Sequence, residues 1–233
     1  RRTCGVGLVI NSNGLAGHRS LVRRISTFLG FPLVGFAFAV SIVCAASIAW
    51  GASGHRSPVD LAVAPDGSWI ATVNQTSNSV SLVRVADGAV LDEIGVGERP
   101  AAIVAFADGE RLLVSCQYSG ELALLAVAGE KLSLEKRIAV SFEPLGVAAS
   151  SDGKTAYAAL SSLDCVAVVD LESEQIVERI VVGRQPRYLA LSPSGDRLVV
   201  GVAGERGVAI VDLPAKEVSH VDRFIGLNLG HVA

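Results

Sequence analysis

Short apolar runs separated by turn residues recur four times between residues 57 and 233. In the first repeat the runs are Leu61–Ala64, Trp69–Asn74, Val80–Val85 and Val90–Ile94. Asp-Gly pairs at 66–67 and 87–88 follow two of these runs. Because glycine supplies the positive φ that tight hairpin turns need, the pattern predicts four antiparallel strands per repeat.

Two landmarks fix the repeat length. The prolines Pro58, Pro100, Pro144 and Pro186 are spaced 42, 44 and 42 residues apart, and a glycine follows nine residues after each, at Gly67, Gly109, Gly153 and Gly195. A period near 43 with strand-like content is typical of β-propeller blades. We therefore expect an all-β chain with blades at 57–99, 100–143, 144–185 and 186–228. Since Ala233 lies 43 residues after Ala190, residues 229–233 are expected to open a fifth blade, and the four blades to form an arc of an incomplete ring.

Residue types along the repeat assign the strands to layers. The third runs, such as Val166–Val169, are apolar nearly throughout and predict strands packed on both faces. The first runs hold small and branched residues that suit an inner wall, and the fourth runs, such as Ile176–Ile180, are the most polar and predict a solvent-facing rim. Amphipathic helices of the same period are disfavoured by the many valines and the recurring turn glycines.

The amino-acid sequence of the repeat resembles the YVTN family of β-propeller repeats over residues 57–233. The matching segments are Ala71–Asn74, Ser79–Val83 and Ile94–Pro100, with a second copy at Val166–Leu171 and Ile180–Pro186. The tyrosine of the family signature is replaced by Ile70 or Ala71. The resemblance implies an exported or surface-attached propeller. Some relatives accompany cytochrome c domains, and the fold looks like the haem-binding propeller of dissimilatory nitrite reductases.

The amino-terminal part has a different character. Residues 1–56 contain six arginines and no acid, whereas the rest holds all 23 acidic and the other 14 basic residues. The basic segment 1–24 is expected to be unstructured. Residues 25–50 carry no charge and would form a helix roughly 39 Å long, more than the ~30 Å bilayer core, so they predict a signal peptide or a transmembrane helix. The arginines before them place the propeller on the extracytoplasmic side of the cytoplasmic membrane. The acidic remainder argues against nucleic-acid binding.

Residues that could carry chemistry are few. There is no Cys-x-x-Cys-His, His-Glu-x-x-His, phosphate loop or Gly-x-Ser-x-Gly segment, so no catalytic, metal or cofactor site is predicted. Cys116 and Cys165 are expected either to pair across neighbouring blades or to stay as buried free thiols. Asp60 is the only acid near an inner strand, and His231 could face the channel.

The polar loops after the second runs vary between repeats on a constant frame, as binding surfaces do. They supply six candidate ligand-face residues: Gln75, Asn78, Gln117, Tyr118, Ser161 and Asp164. We therefore expect a non-catalytic scaffold that binds a protein or a small molecule. The alternative is the propeller part of a larger redox, haem-associated or metal-dependent lactonase-type enzyme whose active residues lie in a further C-terminal part.

Overall fold

A computed structural model of the chain describes residues 56–205 and 207–221. These residues form four sheets of four strands, one per sequence repeat. The first blade contains β1 (Pro58–Val63), β2 (Trp69–Asn74), β3 (Ser79–Arg84) and β4 (Val90–Gly95). The second contains β5 (Pro100–Ala105), β6 (Arg111–Cys116), β7 (Glu121–Ala128) and β8 (Lys131–Ala139). The third contains β9 (Pro144–Ala149), β10 (Thr155–Leu160), β11 (Cys165–Asp170) and β12 (Gln175–Val181). The fourth contains β13 (Pro186–Leu191), β14 (Arg197–Val202), β15 (Gly207–Asp212) and β16 (Glu217–Val221).

The strands of each sheet pair antiparallel in chain order, so every blade is a meander whose first strand lies at the axis. The inner strands β1, β5, β9 and β13 contact one another in that order. The predicted all-β, four-blade propeller is confirmed. Each inner strand begins at its repeat proline, three residues before the predicted start, because the proline itself already lies opposite the end of the second strand, Pro58 opposite Asn74 and Pro100 opposite Cys116, with a register shift directly after it. The short loop predicted at 161–164 contains a single 3₁₀ turn, Ser161–Leu163.

Three apolar cores hold the described blades together, one at each junction between neighbours. Each core joins the trailing face of one blade, meaning the face toward the next blade, to the leading face of the blade that follows. Leu82 and Val80 of blade 1 thus share a core with Leu112 and Val114 of blade 2. A single blade has too little core of its own, so burial between blades is the main source of stability.

The leading face of blade 1 differs from the leading faces of the other three blades. Asn74, Ser79 and Ser81 are almost fully buried there, and the Asn74 side-chain amide donates to both hydroxyls at 3.2 and 2.8 Å. Ser79 in turn donates to Glu93, which forms an ion pair with Arg56. The equivalent positions in the other blades are apolar, apart from Glu121, and comprise Cys116, Glu121 and Ala123, then Leu160, Cys165 and Ala167, then Val202, Gly207 and Ala209. We call Asn74, Ser79, Ser81, Glu93 and Arg56 the blade 1 network.

Several sequence predictions concern residues outside the described part. These are the segments 1–24 and 25–50, the fifth-blade opening at 229–233, and His231. Within the described residues, no helix has the length and apolar character needed to cross a bilayer. His220 lies exposed on the outer strand β16.

Candidate functional site

The predicted loops lie at one end of the blades, which we call the loop face. It carries the connections after β2, β6 and β10 together with the crossovers from each outer strand to the next inner strand. Backbone hydrogen bonds join the two sets. The amides of Gln75, Gln117 and Ser161 donate to the carbonyls of Ser57, Arg99 and Glu143, which are the residues before the repeat prolines. These backbone bonds fix the position of the loop face relative to the strands.

Two of the predicted ligand residues take part in this frame through their side chains. Asn78 Oδ1 accepts the amide of Arg99 at 2.8 Å, and Asp164 Oδ1 accepts the amide of Gln185 at 3.0 Å. Both residues adopt left-handed backbone conformations, with φ of 53° and 57°. Asn and Asp tolerate this region better than other non-glycine residues, so their presence in these loops is explained by local structure.

Tyr118 belongs to an exposed strip that crosses the loop face. Tyr118 is 49% exposed, and its ring lies parallel to that of Phe142, a residue that is 55% exposed, with 6.3 Å between ring centroids and 7° between planes. The Arg99 guanidinium lies over the Tyr118 ring, 4.9 Å from its centroid. We call Arg99, Tyr118 and Phe142 the aromatic strip. Such cation–π and stacked contacts hold side chains in place while leaving their outer surfaces open.

A cleft of about 320 Å³ lies beside the strip. Its wall combines the predicted residues Gln75, Asn78 and Tyr118 with Thr76, Glu98 and Arg99. Gln117 and Ser161 lie at the same end of the blades, but neither they nor Asp164 line this cleft. Sequence reasoning missed Glu98, Arg99 and Phe142. The available signal was the position of the crossovers, because the residues before the repeat prolines share an end of the blade with the loops after each second strand.

A larger cavity of about 640 Å³ lies at the axis between the four inner strands. Asp60 is part of its wall, and its carboxylate accepts the amides of Leu61 at 2.9 Å and Ile103 at 3.0 Å. It therefore ties β1 to the neighbouring inner strand. Asp66, Asp108 and Asp152 each precede a turn glycine at the opposite end and accept amides two residues ahead, so the local backbone accounts for these carboxylates.

Cys116 and Cys165 are free and buried. The pairing considered from the sequence is wrong, because the two thiols belong to different interblade cores, Cys116 between blades 1 and 2 and Cys165 between blades 2 and 3. Burial raises the pKa of Cys116 to about 11 and raises the pKa of Cys165 as well. Within residues 56–205 and 207–221, no three His, Cys, Asp or Glu side chains are grouped as metal ligands would be.

Comparison with solved structures finds propellers. A hydrazine synthase chain of Kuenenia stuttgartiensis shares 28% identity and a TM-score of 0.65, over 71% of this chain and 49% of that one. A functionally unknown protein from Desulfotomaculum acetoxidans shares 14% identity and a TM-score of 0.61, over 70% of this chain and 55% of that one. A Bacteroides uniformis protein with a provisional assignment as a 6-phosphogluconolactonase shares 15% identity and a TM-score of 0.59, over 73% and 55%.

The chain is thus a β-propeller protein that spans about half the length of these structures. No protein-family model matches it, and no curated protein matches it. The resemblance to YVTN repeats accordingly stays a prediction.

Proposed function

We propose that this propeller is a non-catalytic binding module whose loop face takes a protein ligand. The observation that carries the proposal is the exposed aromatic strip on a loop face that the backbone holds in place. Tyrosine and arginine are the side chains most enriched among residues that dominate binding energy at protein interfaces. Aromatic side chains of this size that face water do not gain the free energy that burial against a ligand would provide.

Preorganisation supports the same function. Tyr118 and Phe142 already have a fixed relative orientation, and Arg99 is held at its backbone by Asn78 and Gln117. A ligand therefore loses little side-chain entropy on this face when it binds, which is the cost that most weakens flexible surfaces. The neighbouring cleft offers amide, hydroxyl, carboxylate and guanidinium groups to the polar rim of such an interface.

A random peptide library provides a defined probe. The full chain in lipid nanodiscs is used to select binding peptides, whose affinities are then measured on variants. Tyr118→Ala is expected to weaken the selected peptides at least tenfold, about 1.4 kcal/mol, with a similar effect of Phe142→Ala. The matched control is Val177→Ala, because Val177 is a 62% exposed apolar residue on the outer strand β12. Peptides that keep their affinity for both aromatic variants would contradict the proposal.

We further propose that residues 25–50 place the propeller outside the cytoplasm, as a signal peptide or an anchor. The support is the uncharged segment preceded by Arg19, Arg23 and Arg24 with no acid nearby. An alkaline phosphatase reporter fused after residue 233 becomes active only where disulfides form. We expect activity from the full chain and none after deletion of residues 25–50. Activity that survives the deletion would refute this location.

A second candidate function is favoured by the 28% identity to the hydrazine synthase chain. In this second candidate function, the propeller is one part of a larger enzyme of a redox, haem-associated or lactonase type, whose active residues lie in a further C-terminal part. The reading frame downstream of residue 233 separates the two candidates. A Cys-x-x-Cys-His segment there would favour the enzyme, and further plain blades would favour the binding module.

A further inference from the structure

The axial cavity has an uneven distribution of chemistry. Twenty residues from β1, β5, β9 and β13 line it, and nearly all of them are alanine, valine, leucine, isoleucine or glycine. Among the described residues of its wall, only Asp60, Arg187 and Tyr188 bring functional side chains. A largely apolar cavity with a few polar groups is the usual composition of a small-molecule site, and about 640 Å³ falls within the usual size range.

The three polar residues lie at the same end of the cavity. Asp60 and Tyr188 are the third residues of β1 and β13, and Arg187 is the second residue of β13. The strands β5, β9 and β13 start from the crossovers on the loop face, and β1 starts at the same end, so the second and third residues of each lie near that end. The remaining depth of the wall is formed by the apolar second halves of the strands, such as Val104 and Ala190. The cavity therefore has a polar mouth and an apolar body.

The two charges at the mouth have different surroundings. The Asp60 carboxylate accepts two backbone amides, so it serves the frame of the inner strands. Arg187 is exposed, and its side chain makes no hydrogen bond or ion pair within the described residues. A guanidinium keeps its charge at all physiological pH values and offers a planar set of donors that matches a carboxylate. Arg187 is therefore the group at the mouth that is available to a ligand.

We infer that the axial cavity binds a small amphipathic carboxylate, with its apolar body between the inner strands and its carboxylate at Arg187. This site is separate from the aromatic strip and does not depend on it. Each buried methylene of such a ligand is expected to tighten binding about fourfold. The charge contact adds selectivity for an anion over a neutral or cationic molecule with the same chain.

Three eight-carbon probes test the inference: octanoate, octanol and octylammonium. Their binding to the full chain in lipid nanodiscs is measured by titration calorimetry, with empty nanodiscs as the blank. Octanoate is expected to bind one equivalent, about fivefold more tightly than octanol, with octylammonium the weakest. Arg187→Gln should remove the preference for octanoate, whereas Arg187→Lys, which keeps the charge, should retain most of it. Arg187 is exposed, so neither variant disturbs a core.

The variant Ile210→Glu distinguishes binding in the cavity from adsorption of octanoate to other apolar surface. It changes the half-buried trailing face of blade 4 and leaves the cavity wall intact. Unchanged octanoate binding by this variant supports the cavity as the site. The inference is overturned if binding does not saturate, if Ile210→Glu abolishes it, or if Arg187→Gln leaves the preference for octanoate unchanged. A preference for octylammonium would also overturn it.

Discussion

Two of the predicted ligand residues in the loops have a structural role, because their side chains accept backbone amides. Asn78 and Asp164 occupy equivalent positions in blades 1 and 3, adopt the same left-handed conformation and accept the amide of the residue before the next repeat proline. Gly120 takes this position in blade 2, also with positive φ. The polar character of these loops is therefore partly a requirement of the turn and not only a sign of binding.

Replacing Asn78 tests this role. Asn78→Ala removes the acceptor for the Arg99 amide and places alanine at a φ of 53°, so we expect a loss of about 1–2 kcal/mol in the free energy of unfolding. Urea denaturation measures it. Asn78→Asp keeps an acceptor like that of Asp164 and should remain close to the parent. Equal losses in both variants would show that the side-chain hydrogen bond does not matter.

The buried thiols make a second residue-scale prediction. Because the pKa of Cys116 is raised to about 11, its reactive thiolate is scarce at pH 8, and iodoacetamide should label Cys116 and Cys165 only after unfolding. Peptide mapping by mass spectrometry detects the labelled positions. The unfolded chain loses the Cys116 proton first, near the ordinary pKa of 9.0, so stability should fall as pH rises from about 9 to about 11. Labelling of Cys116 in the native protein would contradict its burial.

Part of the wall of the loop-face cleft could be predicted from the sequence. Gln75, Asn78 and Tyr118 were predicted because their loops are polar and variable, and the structure places all three in one cleft. Glu98, Arg99 and Phe142 were missed because crossovers resemble simple connections in a sequence, and only the paired strands show which end of the blade they share. The sequence did not show which of the predicted residues hold the loop face in place through their side chains. That role depends on hydrogen bonds between segments about 20 residues apart.

At the level of strands, the inner wall depends on how closely neighbouring strands approach. A different kind of contact joins the inner strands at each of the three junctions between described blades. Asp60 bridges β1 to β5, and the Ser115 hydroxyl, which accepts the Ala102 amide, donates to the Leu145 carbonyl of β9. Between β9 and β13 the backbones approach directly at Gly146. The repeat prolines and glycines predicted where these strands lie, but not these contacts, because the bridging residues differ from blade to blade.

Gly146→Ala tests the closest junction. An added Cβ would lie 2.5 Å from the Arg187 carbonyl oxygen and 3.0 Å from the Leu189 amide nitrogen, both in the backbone of β13. Because the backbone cannot move aside without separating two blades, we expect a loss of about 1–3 kcal/mol in unfolding free energy. Gly95→Ala is the matched control in a strand, since nothing lies within 4 Å of its added Cβ. The idea fails if the two variants have equal stability in thermal denaturation.

The described molecule as a whole is stabilised by burial between consecutive blades. Leu82, Leu124 and Ile210 occupy equivalent positions on the trailing faces of blades 1, 2 and 4. The two leucines are buried against the next blade, whereas Ile210 is half-buried. The exposed ion pairs between neighbouring outer rims, such as Lys216 with Glu178, contribute little by comparison.

Truncations at these equivalent positions should therefore have unequal costs. Leu124→Ala leaves a cavity inside a core and is expected to cost about 2–5 kcal/mol, while Ile210→Ala should cost less than half as much. Guanidinium denaturation of both variants at one temperature measures the difference. Equal costs would mean that blade 4 has a covered trailing face in solution.

The blade 1 network bears on how such a chain could be lengthened by gene duplication. Tandem copies of the four-blade unit, residues 56–221, would bring the aliphatic trailing face of blade 4 against the blade 1 network of the following copy. Asn74, Ser79 and Ser81 are already buried and hydrogen-bonded, but the seam would strip the remaining water from the Glu93–Arg56 ion pair without offering it new partners. An engineer who wanted a doubled ring would have to install the small aliphatic residues of the other blades at this seam before the two halves would adhere.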